Sequence, residues 1–600
     1  MFPKNLTYLR IFIIYIIFSF SEVPVASGQG DPVVLGGNGA STVNVTSSDG
    51  DGTPTINGTG MIPNMSASSR FLGQATLGAD FETISSMTTQ SYNQWIDEQF
   101  ATARAFDIEN RVMDITLTVL DSVYANNGDP NQVQPQLAYW YSAWWEYILT
   151  SPDILRSKVA LTLSEIFVIS EIPNLAGESL ALANYYDMLL NNSFGNFRDL
   201  LEDVTLHPAM GIYLTHINNP RSDSTINRFP DENYAREIMQ LLTIGLYELN
   251  IDGTRKLDTA GNFIPTYDND DIREFAKVFT GMTFDDNFLF GQDPLSHASF
   301  LMPMKMVDYW HEPGPKYLLN GDTIPDRNPV DGVADLNDAL DNLFYHPNVG
   351  PFIAYRLIQR LVRANPSPEY IERVAAAFNN NGIGVRGDMQ AVIKAILLDP
   401  EARDCSYAND PFEGMLREPL VRYTQICRAF NAYTPSGVYR NIMAQFYELT
   451  GQKPLASPSV FNFFQPDYQP IGPIEQNDLV APVYQLTNTT TVLGYANRLH
   501  DWIYKDYNIM EYISFYEGES FSVDKLTSLD FSDEMSLEEF SEIGELIERL
   551  NIILVHGQMT PETRAIITKT IKEIPDNRAQ FRVQTAIFLV LLSPDYLILK

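Results

Sequence analysis

Two places in this sequence combine residue types and spacing suited to acid–base chemistry. The first is the segment running from Glu232. With Tyr234 set at zero and about 100° per residue, Ile238, Leu241 and Gly245 fall within about 40° of it on a helix. Glu237 lies at the edge of that apolar face, while Glu232 and Arg236 form an i,i+4 pair on the other side. A half-buried glutamate has its carboxyl pKa raised and can serve as acid, base or cation ligand, or can anchor a neighbouring element. The second place is Tyr309-Trp310-His311-Glu312-Pro313-Gly314-Pro315-Lys316, where the prolines and the glycine position a histidine instead of leaving it floppy. A neutral imidazole there is a general base, or a pin for the loop. Glu237 and His311, with Arg236 and Lys316 beside them, are therefore the catalytic candidates.

Other residues carry weaker chemical signals. Asp268, Asp270, Asp271 and Glu274 supply hard oxygen ligands suited to calcium or another divalent cation. The spacing is not that of an EF-hand, and Asp271 with Glu274 ahead of an apolar run reads more readily as a variant capping box. His207 before Pro208 and His346 before Pro347 read as helix-start residues. Tyr139, Trp140, Tyr141, Trp144, Trp145 and Tyr147 crowd one helix. Exposed, they would stack on sugars; because they surround the helix, most are expected in the core. Cys405 and Cys427 would close a loop of about 20 residues if paired, adding about 3 kcal/mol. There is no Gly-x-Ser-x-Gly elbow, His-Glu-x-x-His, phosphate loop or Cys-x-x-Cys pair.

These residues must be held by a large scaffold. The chain has 600 residues, 45% of them apolar and 19% charged, enough to bury ample core. Its net charge of −35 argues against nucleic acid and anionic membrane surfaces as partners. Cations, neutral polymers such as extracellular polysaccharide, or an envelope protein are better matched. Lys4 and Arg10, the apolar run Ile11 to Phe20 and the small residues Ala26-Ser27-Gly28 read as a secretory signal over 1–28. The expected location is therefore extracellular, cell-surface or periplasmic. Residues 29–67 lack Lys, Arg and aromatics and read as a flexible Gly/Ser/Thr/Asn-rich linker, with Asn44, Asn57 and Asn64 in glycosylation sequons.

From Ser68 the patterning is helical. Ile353, Leu357, Ile358 and Leu361 recur at helical spacing, as do Val374, Ala377 and Phe378, then Val392, Ile396 and Leu397. Strand-like alternation is scarce and best around Phe300 to Leu319. The fold class expected is mainly α, a multi-helix array with few short strands and two lobes, 68–325 and 326–600, parted near Asp322–Asp338. The acidic stretch from Glu511 through Glu548 reads as solvated helix faces.

Several motifs recur in order along residues 68–600. They are Ser69-Arg70-Phe71-Leu72-Gly73-Gln74-Ala75-Thr76-Leu77-Gly78, Asn233-Tyr234-Ala235-Arg236-Glu237 through Gly245, and Tyr267 followed by Phe279-Thr280-Gly281-Met282. His311 to Gly314 with Lys316, Arg417-Glu418-Pro419-Leu420 with Arg422, and Ser457 to Phe464 with Pro466-Asp467-Tyr468 follow. His556-Gly557-Gln558-Met559 and Leu592-Ser593-Pro594-Asp595-Tyr596 complete the series. Together they resemble the bacterial family known as domain of unknown function 1800. The resemblance implies a large exported helical protein and no particular activity. Many members carry a histidine pair where this chain reads Ala160-Leu161-Thr162-Leu163-Ser164-Glu165-Ile166-Phe167. Any role of those histidines is absent here or passes to Glu165.

The leading functional expectation is hydrolysis of an extracellular or envelope polymer by an acid–base carboxylate. The alternative is a non-catalytic acidic scaffold or polysaccharide-binding protein of the envelope. An enzyme of the first kind requires Glu237 and His311 to converge in one cleft.

Overall fold

The structure, a computed structural model, describes residues 64–286, 289–294, 296–404, 412–435, 437, 439, 449–504, 528–537 and 542–600, with a strand pair at 46–47 and 61–62. The signal and most of the linker, Cys405 and much of the acidic stretch lie outside these residues. The fold is mainly α, as the periodicity predicts. The three helices expected from apolar spacing run Val349–Leu361, Pro368–Asn379 and Met389–Leu397. Each buries the stripe that defined it: Ile353, Leu357 and Leu361; Val374 and Phe378; Val392 and Ile396. Burying one such side chain contributes about 1.5–3 kcal/mol, so these stripes outweigh the weak helix propensity of their β-branched residues.

The strands are pairs of two residues each, all antiparallel. Alternation around Phe300 to Leu319 does yield strands, but Lys305–Met306 pairs back to Met282–Thr283, and Lys316–Tyr317 pairs forward to Thr323–Ile324. The segment Asp322–Asp338 is tied down by the second pair and by Arg327, which bonds Asp335 and Asp338. A continuous cluster of buried apolar residues runs from Phe71 to Tyr596 and draws on both sides of that segment.

The helix Leu137–Thr150 is apolar all round and buried all round. Tyr139, Trp140, Tyr141, Trp144, Trp145 and Tyr147 are each at most 2% exposed, so none is free to stack on a sugar. Trp144 packs edge-on against Trp145, and Trp145 against Tyr423.

The first helix, Met65–Ala75, is capped by Asn64, whose side chain accepts from Ala67 N at 2.9 Å. It is clasped by the far end of the chain. Ser69 Oγ meets Ile552 O and His556 Nδ1, and Arg70 Nε donates to the carbonyl of Lys600 at 2.7 Å. Gly73 lets the His556 ring approach; a Cβ there would sit 2.7 Å from it.

Candidate functional site

The expected catalytic residues do not assemble as one site. His311 and Lys316 do meet, on a residue the sequence did not single out. The His311 Nε2 lies 3.1 Å from Asp335 Oδ2, and Lys316 Nζ and Arg327 Nη1 also donate to that carboxylate. The other ring nitrogen, Nδ1, lies 3.0 Å from the carbonyl of Thr280. Both nitrogens thus face acceptors, and His311 is fully buried, so neither nitrogen is open to a substrate. Lys316 Nζ donates as well to Glu312 O at 2.7 Å. Burial alone would raise the Asp335 carboxyl pKa, but hydrogen bonds from His311 and Lys316 and the Lys316 charge outweigh it and hold it below the usual range. This cluster pins the loop, the second role open to His311.

Glu237 shares no hydrogen bond with these residues. It is buried, one carboxylate oxygen has no partner, and burial pushes its pKa up against the opposing charge of Arg236. Arg236 lies at the surface, 3.6 Å from Glu232 in the expected i,i+4 pair. The helical wheel holds only for Asn233–Glu237. From Ile238 to Thr243 the chain winds as a π-helix, with Ile244 N donating to Met239 O five residues back at 3.0 Å; the wider turn leaves Leu241 partly exposed.

The acidic run is a helix start. Asp268 has extended backbone angles and accepts from Asp270 N and Asp271 N, while Asp271 accepts from Asp268 N at 2.8 Å. The capping box therefore lies three residues earlier than Asp271 with Glu274. Asp270 pairs with Arg273, and Glu274 with Lys277 and the Tyr317 amide. Among the described residues no group of three or more His, Cys, Asp or Glu side chains is placed to hold a metal ion. His207 caps a helix start as read, accepting from Ala209 N, whereas His346 ends the helix Gly332–Tyr345 and accepts from Asn348 N, the cap of the next helix; burial pulls their pKa down to about 3 and about 4. Cys427 is a buried free thiol; its expected partner Cys405 is outside the described residues.

The strongest constellation centres on Glu165. It ends the helix Ile154–Ser164, a helix buried almost throughout, and is itself 5% exposed. Seven residues earlier, two turns down the same face, stands the buried Lys158. Arg360, in the last turn of Val349–Leu361, donates to Glu165 Oε2 at 3.0 Å and to its carbonyl at 3.3 Å. Glu418 immediately precedes Pro419, the first residue of the helix Pro419–Ala429.

The carboxyls of Glu165 and Glu418 share one donor, the side-chain amide of Gln452. Gln452 holds them together. Its Oε1 accepts from Leu420 N at 3.0 Å, which fixes the amide so that Nε2 faces both acids, 3.2 Å from Glu165 Oε1 and donating to Glu418 Oε2. Burial, then the charge and hydrogen bond of Glu418, raise the Glu165 pKa well above the usual range despite Arg360 and Lys158.

Glu418 and Arg360 also form part of the wall of a cavity of about 350 Å³, whose other lining includes Phe412, Phe464, Leu479 and Tyr484. Glu165 and Arg360 border a smaller space with Arg356, Leu241 and Phe461. The acid pair thus stands where apolar space reaches polar groups. Two signals could have found it: a lysine and a glutamate seven apart in an otherwise apolar helix, and the Arg417-Glu418-Pro419 motif. The pairing itself, between residues 253 positions apart, has no local signature.

The chain matches the family described as "Protein of unknown function (DUF1800)" over residues 70–598 and belongs to that family. No curated protein and no solved structure shows significant similarity to it.

Proposed function

We propose that this member of a family without an assigned reaction is an acid–base hydrolase, and that its working pair is Glu165 and Glu418, in place of Glu237 and His311. The observation that carries this reading is a pair of buried carboxyls bridged by Gln452, one of which, Glu418, lines a cavity of about 350 Å³. That volume falls in the range of small-ligand sites, about 300–1,000 Å³. Its partly aromatic walls suit the end of a neutral extracellular or envelope polymer better than the middle of a chain. A polyanion would be repelled by the net charge of −35.

In the proposed step, a water oxygen bonds to the electrophilic atom of the scissile linkage while its proton passes to the Glu418 carboxylate. The leaving group departs with its bonding electrons and takes the proton held by Glu165. The pair ends with its proton count unchanged, because one carboxyl has gained what the other gave. Arg360 steadies Glu165 once it is charged, and Gln452 keeps the two acids aligned.

The test is hydrolysis of a panel of chromogenic glycosides, esters and peptides by the wild-type chain and by Glu165→Gln, Glu418→Gln and Glu237→Gln. Acid–base residues contribute about 10²–10⁴-fold, so the first two variants are expected to lose at least about a hundredfold while Glu237→Gln retains activity. An infrared band of a protonated carboxyl near neutral pH, absent from Glu165→Gln, is the companion readout. Full activity in Glu165→Gln and Glu418→Gln, or no such band, overturns the reading.

A further inference from the structure

A second cavity, of about 250 Å³, lies on the other side of the strand pair Met415–Leu416 and Ile598–Leu599. It is framed by the helices Pro419–Ala429, Thr489–Tyr504, Pro561–Lys572 and Ala579–Leu592. Its wall is almost wholly apolar, including Val492, Ala496, Ile567 and Leu589, and it is larger than the about 150 Å³ cavity that holds benzene.

One charged side chain interrupts that wall. Arg422 stands one turn beyond Glu418, its amide donating to Glu418 O at 2.9 Å. Its guanidinium lies 4.6 Å from the centre of the Tyr495 ring, and its Nε is buried without a hydrogen-bond partner. No carboxylate among the described residues pairs with it. The charge of Arg422 bears on Arg417, which has the same sign, and burial pulls the pKa of both down. Arginine does not shed its proton to escape such a site, so a cation with no carboxylate partner among the described residues borders an apolar chamber.

We infer that this cavity binds an amphiphilic anion, its apolar tail enclosed by the four helices and its carboxylate head on Arg422. The planar fork of the guanidinium matches a carboxylate with two parallel hydrogen bonds. The chamber favours an unbranched medium-length tail. The site is distinct from the acid pair and stands or falls independently of the reaction proposed there.

The test is calorimetric titration of the full chain with octanoate, octyl phosphate and octyltrimethylammonium. Octanoate is expected to bind with a negative heat-capacity change, the mark of apolar burial, and the cationic analogue at least tenfold more weakly. Arg422→Gln is expected to lose at least tenfold in octanoate affinity without a lower melting temperature, since it removes a half-buried cation whose Nε has no hydrogen-bond partner. Ala496→Phe, which fills the chamber and leaves Arg422 in place, is expected to weaken binding as well. Tighter binding of octyl phosphate than octanoate would move the source from fatty carboxylates to phosphate-headed lipids while keeping the anion site. Equal binding of the anionic and cationic probes, undiminished octanoate binding by Arg422→Gln, or no binding of either anion at millimolar concentration overturns the inference.

Discussion

Replacing Asp335 by alanine tests whether the His311 cluster is a clamp. In the native chain this carboxylate, 3% exposed, accepts from His311, Lys316 and Arg327. Its removal leaves Lys316, 1% exposed, with only backbone carbonyls, and leaves the His311 Nε2 without an acceptor. Arg327 keeps Asp338 and loses less. Breaking a buried ion pair from one side costs about 3–5 kcal/mol, a large share of the about 5–15 kcal/mol that holds a typical domain. Asp335→Asn is no rescue, because its amide NH₂ must face one of the donors. Asp335→Leu combined with Lys316→Met removes both charges and is expected to recover part of the loss, with a coupling of about 2–3 kcal/mol.

Urea unfolding gives these energies, and amide exchange over residues 307–330 locates them. The pH dependence follows from the lowered pKa of Asp335. The stabilisation is complete above the ordinary carboxyl range and disappears as acid protonates the folded carboxylate, so Asp335→Ala flattens the loss of stability below about pH 4. A penalty under about 1 kcal/mol, or additive behaviour of the two sites, refutes the clamp.

Two further outcomes are expected. The Cys427 thiol, fully buried and with its pKa pushed well up by that burial, is inert to iodoacetamide in the native protein and labelled only after unfolding; labelling under native conditions contradicts its placement. Gly73→Ala drives a methyl into the His556 ring and is expected to cost about 1–3 kcal/mol in urea unfolding, a penalty that vanishes when His556 is already alanine.

The legible parts of the molecule were those encoded within a few turns of chain. Apolar spacing found the helices at 349–361, 368–379 and 389–397, and the buried aromatic helix followed from rings on every side. Pro-Gly-Pro after His311 correctly marked a held loop, but nothing local revealed that Asp335 holds it. The wheel drawn through Glu237 assumed α-helical winding, which the π-turn after it breaks. Glu165 drew notice only as a departure from a histidine pair. Its partner Glu418 and the bridging Gln452 are brought to it by packing of helices distant in sequence, a contact no periodicity records. Arg422 was read as part of a motif, and that no carboxylate among the described residues meets it is a property of the finished fold alone.

The clasp between Ser69, Arg70 and the residues at 552, 556 and 600 imposes an order in time. Synthesis proceeds from the N-terminus, so the helix at 65–75 leaves the ribosome long before the segments that hold it exist. Until those segments are made, its Phe71 and Leu72, buried in the finished protein, have no complete bed to occupy. Closure of the clasp waits for the segments around 552, 556 and 600.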